Sequence, residues 1–203
     1  MKLSAAARHL LLVCAIAVTL GLAPLGRASG AEAGAARAVA ETLVEDAHGA
    51  LADPALSDAQ RNAQLKSAVS AAFAFDIWER FLLGDQADGF TDAQRAKFRA
   101  ALPGFLADLY KNQFGQGLEA KPEIRETRPA RTDVLVQAGI PRAKRGTLPV
   151  DWRIRDFGDR GHLVIDVMVG GVSFGVLKRE EFAEIRRARG PEGRLAFMAE
   201  NSL

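Results

Sequence analysis

The segment from Gly161 to Phe182 constrains the fold more than any other part of the chain. Leu163, Ile165, Val167 and Val169 alternate along it, which places them on one face of a β-strand. Val164 and Met168 fall on the opposite face, with Asp166 the one charge among them. A strand with one wet face alternates apolar with polar residues. Here both faces are apolar, so the pattern predicts a cover on each side: helices over one and an apolar ligand over the other.

Helical signals dominate from Ala38 to about Gln116. Val39, Leu43, Val44 and Ala47 recur at helical spacing, whereas residues 31–37 are small, lack an apolar face and read as a flexible start. Ser57 stands three residues before Gln60, and Thr91 three before Gln94; both fit a capping box. The helix after Ser57 carries Leu65, Val69 and Phe73 on one stripe. The helix after Thr91 carries Phe98, Leu102, Phe105, Leu106 and Leu109, with Pro103 predicting a kink near Leu102.

After about Glu123 the period becomes two. Val134, Val136 and Ala138 alternate, and Val150, Trp152 and Ile154 alternate with Asp151, Arg153 and Arg155. Gly170-Gly171 predicts a bulge or bend, with the strand pattern resuming over Val172 to Val176. Lys178 to Arg187 reads as a helix stopped by Gly190-Pro191, and Glu192 to Ala199 as a last short one. Helices, then an antiparallel meander, then a returning helix make an α+β fold.

The first 30 residues read as a secretory signal peptide, with Lys2 and Arg8, an apolar Leu10–Leu22 and small residues at Ala28-Ser29-Gly30-Ala31. An uncleaved anchor is the alternative, and Cys14 lacks the small neighbour of a lipidation site. The rest, 31–203, reads as one domain, mainly helical over 31–116 and mainly sheet with C-terminal helices over 117–203. The leader holds Lys2, Arg8 and Arg27 and no acid, so of 27 bases and 25 acids its removal leaves 24 against 25. Nucleic-acid binding then has no electrostatic support. The mature chain has no cysteine, so an apolar core must hold an exported protein together. Apolar residues are 48% of the chain, and its 11 Phe outnumber two Trp and one Tyr, which suits a dry core or an apolar cavity.

Two blocks carry a family resemblance. One is Ile165-Asp166-Val167, the Gly171-Val172-Ser173 bend, Arg179 with Phe182, and Gly193 before Leu195. The other is Phe75-Asp76 with Leu83-Gly84, then Phe98, Leu102, Phe105-Leu106 and Tyr110. Together they resemble the MlaC family, the toluene-tolerance, Mla-type periplasmic phospholipid-binding proteins. The chain departs from that pattern where Asp85 to Phe90 lacks the family's Trp and where His162 stands in place of Trp. These departures are compatible with a hopanoid-associated branch.

The resemblance implies an NTF2-like cone, a curved antiparallel sheet covered by helices, with acyl chains between them. It implies a soluble periplasmic shuttle for phospholipid or a hopanoid-like lipid, without catalytic residues, cofactor or metal. The partners it implies are an inner-membrane ABC transporter complex with an MCE-type lipid-binding subunit and an outer-membrane lipoprotein complex. Burying a sixteen-carbon chain offers on the order of 12 kcal/mol before ordering costs, so apolar walls suffice. The expected lipid-contacting residues are Phe81, Leu82, Phe98, Leu102, Phe105, Leu106, Leu109 and Tyr110 from the helices. From the sheet they are Val134, Val136, Trp152, Ile154, Ile165, Val167, Val172 and Phe174. Each has plain core packing as its alternative. Asp166 is expected to pair with Arg179. Arg142, Lys144 and Arg145 form a basic loop, either solvated or facing anionic headgroups. Two rival readings remain: a steroid-isomerase-like enzyme using Asp166 or Asp151 with Tyr110 or His162, and a bridging protein that binds no ligand.

Overall fold

A computed structural model describes residues 30–84, 89–114, 120–142 and 146–202. The expected signal peptide up to Ser29, Asp85 to Asp88, Lys144 and Arg145 lie outside the described residues. Four helices come first: α1 (Gly30–Ala52), α2 (Asp58–Ala72), α3 (Phe75–Leu83) and α4 (Asp92–Phe114). A meander follows, β1 (Glu123–Ala130), β2 (Asp133–Arg142), β3 (Gly146–Asp156), β4 (His162–Val169) and the short β5 (Val172–Ser173). α5 (Phe174–Glu200) closes the chain. The five strands form one antiparallel sheet in sequence order, so the α+β expectation holds.

Local chemistry sets the helix starts. Gln60 N–H donates to Ser57 Oγ at 3.3 Å and Ser57 N–H to Gln60 Oε1 at 3.0 Å. Thr91 and Gln94 make the same reciprocal pair at 3.2 and 2.9 Å. Both capping boxes therefore form where the spacing predicts them. Residues 31–37 are helical rather than a flexible start, because Ala36 and Ala40 lie one turn apart and both enter the core. Pro103 does not interrupt α4, whose buried Leu102, Phe105 and Leu106 are held by packing on both sides of it. Phe73 lies just past α2 in extended backbone (φ −104°, ψ 140°).

β4 corrects the two-faced reading of its sequence. Arg153 pairs with Asp166 and Ile154 with Val164, so Ile165 is an extra residue between them, a β-bulge. The bulge shifts the alternation by one. Val164, Val167 and Val169 therefore share the helix-facing side with Val150, Trp152 and Ile154, and Leu163, Asp166 and Met168 face outward. The run looked apolar on both faces because the sequence does not mark the phase change.

The outer face needs no apolar cover. Leu163 and Met168 stand opposite Arg155 and Asp151, whose chains flank them. Arg128 reaches Asp151 at 3.1 Å, and Arg153 and Arg155 each donate to Asp133 at 2.6 Å. The Asp133 side chain is fully buried beneath the two arginines. Burial pushes its carboxyl pKa up, but hydrogen bonds and charge from Arg155 and Arg153 outweigh that and hold it below the usual carboxylate range. Its folded-state pKa is thus lower than its unfolded one. The stabilisation is complete above about pH 4 and is lost as pH falls through the folded value. Asp133→Ala is expected to cost about 1–3 kcal/mol at neutral pH, modest because both arginines keep access to water. Urea titrations should show the variant and wild type converging as pH drops below about 4.

α5 starts at Phe174, so the expected strand over Val172 to Val176 ends after two residues. The reason is a cap: Ser173 Oγ accepts from Val176 N–H at 3.1 Å. The helix breaks at Gly190 (φ 67°) before Pro191, and its second part returns alongside the first. There Phe182 meets Phe98, Phe105 and Phe197 at centroid distances of 5.8, 5.5 and 5.8 Å. Arg194 is buried against the Phe182 and Phe90 rings, its Nε donating to the Phe182 carbonyl at 2.7 Å. Burial, with the Arg186 charge nearby, brings the Arg194 pKa down to about 10.

Candidate functional site

Helix α4 supplies one wall of a cleft. Leu106, Leu109, Tyr110 and Gln113 are spaced i, i+3, i+4 and i+7, so they form a single stripe. Val167 and Val169 of β4 form the facing wall, with Phe73, Trp78 and Phe174 completing the lining. Phe73, Trp78, Leu106 and Val167 are buried and make the deep end. Leu109, Gln113, Val169 and Phe174 are half-buried and make the mouth. The volume enclosed between these walls is about 20 Å³. A wider gap between α1 and α2 is lined largely by alanines and includes Asp46, without an aromatic side chain.

The bulge in β4 also builds the deep end. Ala74 N–H and Trp78 Nε1 both donate to the Val164 carbonyl, at 3.0 and 3.3 Å. These bonds cover the free edge of β4 and fix the indole beside Phe73, ring centroids 5.8 Å apart. The start of α5 is fixed in a comparable way. Asp166 accepts from Val167 N–H at 2.8 Å, Ser173 Oγ at 2.6 Å and Gly175 N–H at 3.1 Å. A Cβ on Gly175 would come within 2.9 Å of Phe81, so this close approach requires glycine. The Arg179 guanidinium lies 5.7 Å from the centre of the Phe81 ring and against Gly84. Asp166 thus ties β4 to α5 through Ser173 and Gly175 rather than through the expected pairing with Arg179.

The expected contact residues fall into three groups. Leu106, Leu109, Tyr110, Val167 and Phe174 line the cleft. Leu82, Phe98, Leu102, Phe105, Val134, Val136, Trp152 and Ile154 are buried in the main core, outside the cleft lining. Phe81 packs on Gly175, Ile165 is the bulge residue, and Val172 at the β4–β5 tip is 59% exposed. Phe73, Trp78, Gln113 and Val169 line the cleft without having been singled out as contacts. Gln113 had a signal, one further turn along the Leu106–Tyr110 stripe. Phe73 and Trp78 had none, since an extended break between two helices brings them together.

Among the described residues, the cleft lining has no ionisable group except Tyr110, whose pKa burial pushes up so that the phenol stays protonated. Asp151 is engaged by Arg128 and Gln137 on the outer face of the sheet. Among the described residues no three potential metal ligands cluster. An apolar slot with a protonated phenol and an amide near its mouth can hold hydrocarbon and leave a polar end in water.

Residues 40–200 match the family model described as MlaC protein. The chain belongs to the MlaC family. A solved structure of the phospholipid-binding protein from Ralstonia solanacearum, in complex with a phospholipid, has the same fold. It aligns with a TM-score of 0.68 at 20% identity, covering 82% of this chain and 96% of that one. A search of curated proteins finds no match. The MlaC assignment agrees with both sequence blocks, and the Asp166–Ser173 block is here the hinge between β4 and α5.

Proposed function

We propose that this MlaC-family protein is a periplasmic phospholipid carrier, taking lipid between an outer-membrane complex and an inner-membrane ABC transporter. The observation that carries the reading is the apolar cleft between α4, β4 and α5, buried at one end and open at the other. Family membership and the phospholipid in the related fold support it. Among the described residues no helix is long and apolar enough to cross a membrane. Binding is favoured over catalysis because Asp166 and Asp151, the carboxylates available as bases, are hydrogen-bonded outside the cleft lining. It is favoured over bridging because a protein that only bridges needs no open apolar slot.

The cleft as it stands encloses only about 20 Å³, room for about one water molecule and far less than a small-molecule site. A diacyl lipid therefore enters by widening it, with the half-buried Leu109, Val169 and Phe174 moving first. Organic extraction of the natively purified protein, followed by mass spectrometry, is expected to return phospholipid at close to one molecule per chain. No stoichiometric lipid, together with no uptake from phosphatidylglycerol liposomes, would overturn the proposal.

A further inference from the structure

On β2 the helix-facing positions run Val134, Val136, Ala138, Ile140 and Arg142. The first four are buried and apolar. The fifth, Arg142, is a cation at the end of the strand. Its Nη2 lies 3.5 Å from the carbonyl oxygen of Gln113, a residue of that mouth. This is its one hydrogen bond among the described residues, and at this length a weak one. Across the mouth Lys178 sits 5.5 Å from the Phe174 ring centre, but its Nζ is already held by Glu181 at 2.6 Å. Among the described residues, Arg142 is the rim cation whose donors are spare.

We infer that Arg142 binds the phosphate of the lipid whose acyl chains fill the cleft. This rests on the phospholipid-carrier reading and specifies its ligand as one bearing a phosphate at the apolar–water boundary. Acyl chains running toward Trp78 leave the glycerol end between Leu109 and Phe174, beside Gln113. Arg142 stands at that level. Its guanidinium presents paired N–H groups that match two phosphate oxygens. A hydroxyl-headed lipid offers no such partner, so Arg142 favours phospholipid over diacylglycerol and over uncharged polycyclic lipids.

Calorimetric titration of the delipidated protein with dioctanoyl phosphatidylglycerol and with dioctanoylglycerol separates headgroup from chains. Arg142→Gln is expected to weaken phosphatidylglycerol binding about tenfold and leave dioctanoylglycerol unchanged. Arg142→Lys should restore only part, because a point charge lacks the planar fork. Equal affinities of wild type and Arg142→Gln for phosphatidylglycerol, or an equal loss for both lipids, would overturn the inference while the carrier reading stands. Wild type binding neither lipid would remove the carrier reading and this inference together. Inorganic phosphate alone binding to wild type and not to Arg142→Gln would assign the site to free phosphate and overturn the headgroup role.

Discussion

Leu109→Arg is expected to give a folded protein that carries no lipid. Leu109 sits half-buried at the cleft mouth, one turn from buried Leu106 on the α4 stripe. An arginine there can extend its stem along the wall and keep its guanidinium in water, so the fold loses little. A lipid entering the slot must pass or displace that charge, and it loses methylene contacts with Leu109. Losing two to three buried methylenes alone corresponds to about 2 kcal/mol, or more than tenfold in affinity. Extraction and mass spectrometry should find the lipid content reduced at least tenfold, with circular dichroism and the urea midpoint close to wild type. Full lipid content in the folded variant would place the acyl chains elsewhere. Phe105, also an expected lipid contact on α4, is unsuitable for such a test. It is enclosed by Phe182 and Phe197, and a charge there would unfold the domain before it emptied a cleft.

Phe182→Ala is expected to be the most destabilising single truncation. The ring is fully buried, contacts rings from both α4 and the returning end of α5, and covers Arg194. Large-to-alanine changes at such sites cost about 3–5 kcal/mol, a large part of a typical total of about 5–15. Removing the ring also exposes a buried guanidinium to a cavity instead of a π-face. The urea midpoint should fall sharply, whereas Leu177→Ala, on the 49% exposed side of the same helix, should change it by no more than about 0.5 kcal/mol. A Phe182→Ala loss below about 1 kcal/mol would show that the ring cluster does not hold α5 to α4.

The interactions readable from the sequence are those within a few residues. Ser57–Gln60 and Thr91–Gln94 specify two helix starts because each cap closes within its own turn. The alternation in β3 specifies which side faces the helices because the strand is regular over that stretch. The α4 stripe was visible for the same reason, and two of its residues, Leu106 and Leu109, became part of the cleft wall. Misreadings occurred where one residue changes the phase or a distant contact decides. Ile165 carries the same apolar side chain whether it continues a strand or forms a bulge. Phe73 continues a helical stripe in sequence, yet Val164 holds it in extended backbone. Asp166 had a plausible cation partner in Arg179, but Ser173 and Gly175 sit closer along the turn.

The sequence by itself determined the α+β order, the helix caps, the apolar stripes and the two blocks that mark the MlaC family. Their determinants are local: periodicity, capping and side-chain type. Only the tertiary structure decided which apolar residues enclose a space and which fill one. Phe98 and Phe105 lie on the same helix as Leu106 and Leu109, with the same hydrophobicity, yet α5 closes over the first pair and leaves the second beside an opening. Whether an apolar side chain meets protein or space depends on where the next layer stops. That limit is set here by the Asp166–Ser173–Gly175 link at the start of α5 and the Gly190 break at its far end.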